Sequence, residues 1–98
     1  MKKIPAVHPG EILLKEFLEP MGISQNKIGR DLGVSPRRIN EIVQGKRSVT
    51  ADTALRLSVY FGNSASFWFG LQMDYDLDIA EDTLSKRIHT EVHQLVIA

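Results

Sequence analysis

Apolar residues recur along this chain in bursts three and four positions apart, the spacing of a single helix face. Between the bursts stand residues that start and stop helices. His8-Pro9-Gly10-Glu11 opens the first, with proline where the missing N–H costs nothing, and Leu13, Leu14, Phe17 and Leu18 supply its i, i+4 pairs. Pro20 pushes Glu19 out of the helical region and ends it. Ser24 caps a second helix through Leu32, and Gly33 stops it. Ser35-Pro36 repeats the start signal for a third, which runs to Gln44 and ends at Gly45. Thr50 caps a fourth, with Asp52 in its first turn, Ala54, Leu57 and Phe61 on one face, and Gly62 as its stop. Ser64 caps a fifth, in which Phe67, Leu71 and Tyr75 follow at i, i+4 with Trp68 beside them, and which reaches about Ala80.

The last stretch is ambiguous. Leu84, Ile88, Val92 and Leu95 fit a helical stripe, whereas Ile88, Thr90, Val92 and Gln94 fit a period of two. The expectation is one all-α domain over residues 1–98: five helices, a core over about 7–80, and a tail over 81–98 of undecided structure. Phe67 and Trp68 are expected in that core, with Phe69 left open.

At 98 residues, 43% apolar and 24% charged, the composition is that of one small globular domain. A domain of this size favours a binding module over an elaborate enzyme. Cysteine is absent, which removes disulfides, thiolate metal sites and thiol nucleophiles and fits a reducing cytosol. No apolar run is long enough to span a membrane. Met1-Lys2-Lys3-Ile4-Pro5 lacks the apolar stretch of a secretory signal. A cytoplasmic protein is expected.

Net charge is zero, yet its distribution is uneven. Residues 24–50 carry Lys27, Arg30, Arg37, Arg38, Lys46 and Arg47 against Asp31 and Glu41, a net +4, and residues 51–98 carry a net −4. A basic middle followed by an acidic end says more about partners than the total does.

The basic middle coincides with the second and third helices, joined by a short turn that begins at Gly33. That is the helix-turn-helix arrangement. Ile28, Leu32, Val34, Ile39 and Ile42 are expected to face inward. Gly29 is small where the next helix crosses, and Gly33 supplies the positive φ of the turn. Arg37, Arg38, Asn40, Glu41 and Gln44 are expected to face outward. Arginine can grip guanine with two bonds, asparagine adenine, and glutamate can accept from cytosine. The N-terminal end of such a helix is the part that enters the major groove. Two arginines there oppose the helix dipole by up to about 1 kcal/mol, a cost that binding would justify. Phosphate contacts are expected on either side, from Gln25 at the start of the second helix and from Lys46-Arg47-Ser48 after the third; Asn26 and Ser35 are also expected to meet DNA.

His8-Pro9-Gly10-Glu11-Ile12-Leu13, Pro20-Met21-Gly22-Ile23-Ser24-Gln25, Arg37-Arg38-Ile39-Asn40-Glu41-Ile42, Gly45-Lys46-Arg47, Phe67-Trp68 and Leu71-Gln72 together resemble the HigA/VapI antitoxins of the XRE (Cro/cI-like) phage-repressor class. The resemblance covers about residues 7–80. It implies a five-helix phage-repressor-like fold and a bacterial autorepressor that binds double-stranded operator DNA and partners a HigB-like mRNA-cleaving toxin. It also implies that Gln25, Arg37, Arg38, Asn40, Lys46 and Arg47 meet DNA.

Other features carry less. His89 and His93 are four apart, but His8 is distant and no cysteine can complete a tetrahedron, so surface histidines are expected. Asp74, Asp76 and Asp78 have a calcium-loop spacing without its glycine or terminal glutamate, so a solvated helix end is expected. No catalytic or nucleotide fingerprint occurs, and neither an enzyme nor a cofactor is expected. Ile88, Val92, Leu95 and Ile97 are exposed unless they fold back or pair, which points to a homodimer formed through the C-terminal half. Two further readings compete: a DNA-binding regulator without a toxin, and a protein–protein adaptor that has lost DNA.

Overall fold

A computed structural model describes residues 4–97; Met1, Lys2, Lys3 and Ala98, and with them most of the N-terminal segment judged above for a leader, lie outside the described residues. All regular structure among the described residues is helical. Helix α1 covers residues 9–21, α2 is Gln25–Leu32, α3 is Pro36–Val43, α4 is Ala51–Phe61 and α5 is Ala65–Glu91. None of them is long and apolar enough to cross a membrane.

The expected caps are in place. Ser24, Ser35, Thr50 and Ser64 are extended residues whose hydroxyls accept the N–H of Lys27, Arg38, Thr53 and Phe67. Three boundaries or environments differ from expectation. Pro20 does not end α1: Glu19 is helical, with φ −65° and ψ −51°, and the chain turns only at Gly22. The reason is a π-helical stretch, Leu13–Leu18, in which the Glu19 N–H reaches back five residues to the Leu14 carbonyl. The wider turn shifts the ladder before the ring that lacks an N–H arrives. Helix α5 does not stop near Ala80 but runs unbroken to Glu91, where Val92 turns extended. Residues 81–91 contain neither glycine nor proline, and the Arg87–Glu91 pair at 2.7 Å supports the last turns. Phe67, expected in the core, is 41% exposed at its rim. The buried seam of α5 runs through Trp68 and Gln72 instead.

The core draws Leu13 and Leu18 from α1, Ile28 and Leu32 from α2, Ile39 and Ile42 from α3, Val49 from the following loop, Ala54 and Leu57 from α4, and Trp68 from α5. Phe17 packs its ring 4.8 Å from Phe61 and 4.9 Å from Trp68. The Trp68 indole N–H donates to Asn63 Oδ1 at 2.9 Å, so the largest core side chain leaves no polar atom unpaired. Helix α1 crosses both α3 and α5, and α4 packs along α5.

His8 is buried. Its Nδ1 accepts the Gly10 N–H at 2.9 Å and so caps α1, and its ring meets Tyr75 edge-on at 4.9 Å. The molecule is long for its mass. Its extents are 57 × 30 × 21 Å and its Cα radius of gyration is 16.9 Å, against about 13 Å for a compact chain of 100 residues. Every described residue from Glu81 to Ile97 except Ser85 is exposed. The apolar residues of the tail therefore do not fold back on the domain.

Candidate nucleic-acid interface

Helices α2 and α3 meet across the turn at Gly33, whose φ of +75° is left-handed. Ile28, Ile39 and Ile42 are fully buried, Leu32 nearly so and Val34 half-buried, which leaves the opposite sides of both helices for a partner. A Cβ on Gly29 would stand 3.2 Å from the Val34 carbonyl oxygen and 3.3 Å from Pro36 Cα. Its missing side chain thus lets the turn and the start of α3 close onto α2.

On the exposed side, several candidate residues come together. Asn40 Nδ2 donates to Gln25 Oε1 at 3.1 Å, joining the first turn of α2 to the outer face of α3. Glu41 lies between two arginines: Arg37 Nε is 3.4 Å from its Oε2, while Arg47 Nε and Nη2 donate to its Oε1 at 3.0 and 2.7 Å. The Arg47 hydrogen bonds hold the Glu41 carboxyl below its ordinary value. Glu41 therefore serves first as an internal bracket between a helix arginine and a loop arginine. The Arg37 side chain is 85% exposed. Asn26, Ser35, Gln44, Lys46 and Arg47 are also exposed. The Ser35 hydroxyl is occupied as the cap of α3, and Gln44 closes that helix at its other end.

Arg38 is arranged differently from Arg37. It was expected to project outward beside it, but its guanidinium turns toward the start of α4. Nη2 is 3.1 Å from Asp52 Oδ1 and also donates to Thr53 Oγ1. The same Asp52 oxygen accepts Arg56 Nε at 2.8 Å, and Arg56 Nη1 donates to the Leu32 carbonyl at the end of α2 at 2.8 Å. Arg56, and then Arg38, lower the Asp52 carboxyl below its usual value. This network ties α2, α3 and α4 together. Sequence reading saw Asp52 only as a dipole partner, because nothing in a linear pattern brings positions 14 apart into contact.

A second omission was Gln72. Its side chain is 4% exposed, and its Oε1 accepts the Val49 N–H at 2.8 Å, at the end of the loop that carries Lys46 and Arg47. The clue in sequence was a glutamine at a core position of α5, one turn after Trp68.

The buried turn, the outward arginine and amide pair, and the basic loop after α3 define a helix-turn-helix module. The chain belongs to the helix-turn-helix family, whose profile matches residues 14–68, and within it to the group that includes virulence-associated protein I and the HigA antitoxins. It is 56% identical over 79 residues to virulence-associated protein I of Dichelobacter nodosus, covering 81% of this chain and 73% of that one. The solved structure of Pseudomonas aeruginosa antitoxin HigA with the higBA promoter has a TM-score of 0.89 at 43% identity, covering 93% of this chain and 99% of that one. Antitoxin GraA in complex with its operator has a TM-score of 0.91 at 38% identity, covering 99% and 98%.

Proposed function

We propose that this chain is a sequence-specific DNA-binding repressor that also acts as the antitoxin of a HigB-like toxin. The observation that carries the reading is the Arg37–Glu41–Arg47 bracket beside the Asn40–Gln25 pair. These place one exposed guanidinium, one amide and one basic loop on the same exposed side of a helix-turn-helix. Relatives of the same fold are solved with a promoter and with an operator. In this reading α3 enters the major groove, where Arg37 and Asn40 face base edges and Gln44 and Arg38 stand at its borders. Asn26, Ser35, Lys46 and Arg47 face phosphates, which release counterions when neutralised. The protein works in the cytoplasm as a binding protein and catalyses nothing itself.

One such module touches few base pairs, so the working unit is a homodimer on half-sites about 34–36 Å apart, or a multiple of that. The projecting end of α5 supports this. Leu77, Leu84, Ile88 and Val92 leave an apolar stripe in water beyond the body of the domain, the kind of surface that pairing would cover.

Selection from a random duplex library tests the reading. The wild-type protein should enrich one palindromic sequence and bind it less tightly as salt rises. Enrichment of no sequence, even at low salt, would sink the proposal. Co-expression with the adjoining open reading frame tests the antitoxin role: the two products should co-purify, and the neighbour alone should arrest growth.

A further inference from the structure

We propose that Gln72, in the first third of α5, is the positioning residue for the DNA-contacting loop between α3 and α4; the inference rests on the DNA-binding reading above. The loop's cations, Lys46 and Arg47, are exposed, and Arg47 ties only the near side of the loop, to Glu41 of α3. At its near end the Lys46 N–H donates to the Glu41 carbonyl at 2.8 Å. At its far end the chain dives inward at Val49, which is 1% exposed, and the Val49 N–H is met by Gln72 Oε1 at 2.8 Å. A helix 23 residues further along the chain thus supplies the acceptor that ends the loop.

The glutamine has no freedom to turn. Its Nε2 donates to Asp76 Oδ1 at 2.9 Å, one helical turn on, so its oxygen is committed to Val49. An aliphatic side chain of similar size would fill the same space without desolvating an amide. What the amide adds is a directed bond to the loop. With Glu41 drawing in Arg47 from the side of α3 and Gln72 fixing Val49 from the side of α5, both ends of the basic loop have a set height relative to the reading helix. A phosphate clamp needs that fixed geometry, because its contacts must form together with the base contacts of α3.

The test compares wild type, Gln72→Met, Gln72→Glu and the double variant Gln72→Glu with Asp76→Asn. The probe is a duplex that the wild-type protein selects from a random library. Gln72→Met keeps the volume and removes the acceptor. Gln72→Glu keeps the acceptor but sets a second carboxylate against Asp76. In the double variant the carboxylate introduced at position 72 accepts from both the Val49 N–H and the amide introduced at position 76, so both bonds return at unchanged total charge. Gln72→Met and Gln72→Glu should bind about tenfold more weakly, with the slope of log affinity against log salt reduced by about one to two units. Preference for the selected duplex over a scrambled one should persist, since Arg37 and Asn40 are untouched. The double variant should recover both affinity and slope.

A merely structural role would lower affinity only in step with the folded fraction and leave the salt slope alone. Wild-type affinity and slope in a folded Gln72→Met protein would overturn the inference, as would a double variant no better than Gln72→Glu. If Gln72→Met does not fold, the single and double glutamate variants decide by the same criterion. Absence of any DNA binding by the wild type overturns the DNA-binding reading, and this inference with it; salt-dependent wild-type binding beside an unaltered folded Gln72→Met overturns this inference alone.

Discussion

A Cβ on Gly10 would lie 1.8 Å from the Ile42 carbonyl oxygen. The first turn of α1 rests directly on the backbone of the last turn of α3, so the end of the reading helix is supported by main chain against main chain. Neither partner can rotate away. Gly10→Ala should therefore destabilise the fold by about 1–3 kcal/mol through overpacking. Gly70, inside α5, has nothing within 4 Å of a built Cβ, and Gly70→Ala should stabilise by up to about 1 kcal/mol from helix propensity. Chemical denaturation of the two variants checks the opposite signs.

Arg37→Ala and Arg38→Ala should separate binding from stability. The Arg37 side chain is 85% exposed, and its loss should change stability by less than about 0.5 kcal/mol. It should cost about 1–3 kcal/mol of operator affinity and relax discrimination at one base pair. Arg38 is bound to Asp52 and Thr53, so its removal should lower stability by about 1 kcal/mol. A thermal melt beside a binding titration reads both. An Arg38 variant as stable as wild type would show that the α3–α4 network contributes little.

Lys46→Ala should weaken binding to all sequences about equally and lower the salt slope by about one unit. A loss confined to one operator sequence would instead assign Lys46 to base reading.

His8 should make stability depend on pH. Burial lowers its pKa below the ordinary 6.5, against the raising effect of Asp76. The unfolded chain then binds a proton more readily than the folded one below about pH 6.5. The stability is complete above that value and falls as pH drops toward the lower folded value. Protonation also removes the Nδ1 acceptor that caps Gly10. His8→Asn retains a capping side chain and should flatten the dependence below about pH 6.5; an unchanged profile would assign it to other groups.

Ile88→Lys should separate the proposed dimer into monomers, measured by sedimentation at micromolar concentration, and weaken operator binding while the domain stays folded. Ile88 is 48% exposed, so the change costs no core packing. A monomeric wild type would overturn the dimer reading.

The helix-turn-helix was legible in sequence because its signals are local. A cap hydroxyl, a proline at the first helical position, a left-handed glycine and apolar residues three and four apart act within one or two turns. They located α2, α3, α4 and the start of α5 at Ser24, Ser35, Thr50 and Ser64. Where a competing local register intervened, the reading failed: the π turn carried α1 through Pro20. Where no stop signal existed, it was undecided, and α5 continued to Glu91. Tertiary structure decided what only distant contacts can set. It sent Arg38 to Asp52 and Arg37 to solvent, though they are neighbours on one helix. It also buried His8 and brought Gln72 to the Val49 N–H. Hydrogen bonds and close packing between elements depend on how helices cross, and the period of a sequence records which face is apolar but not what that face, or its opposite, will meet.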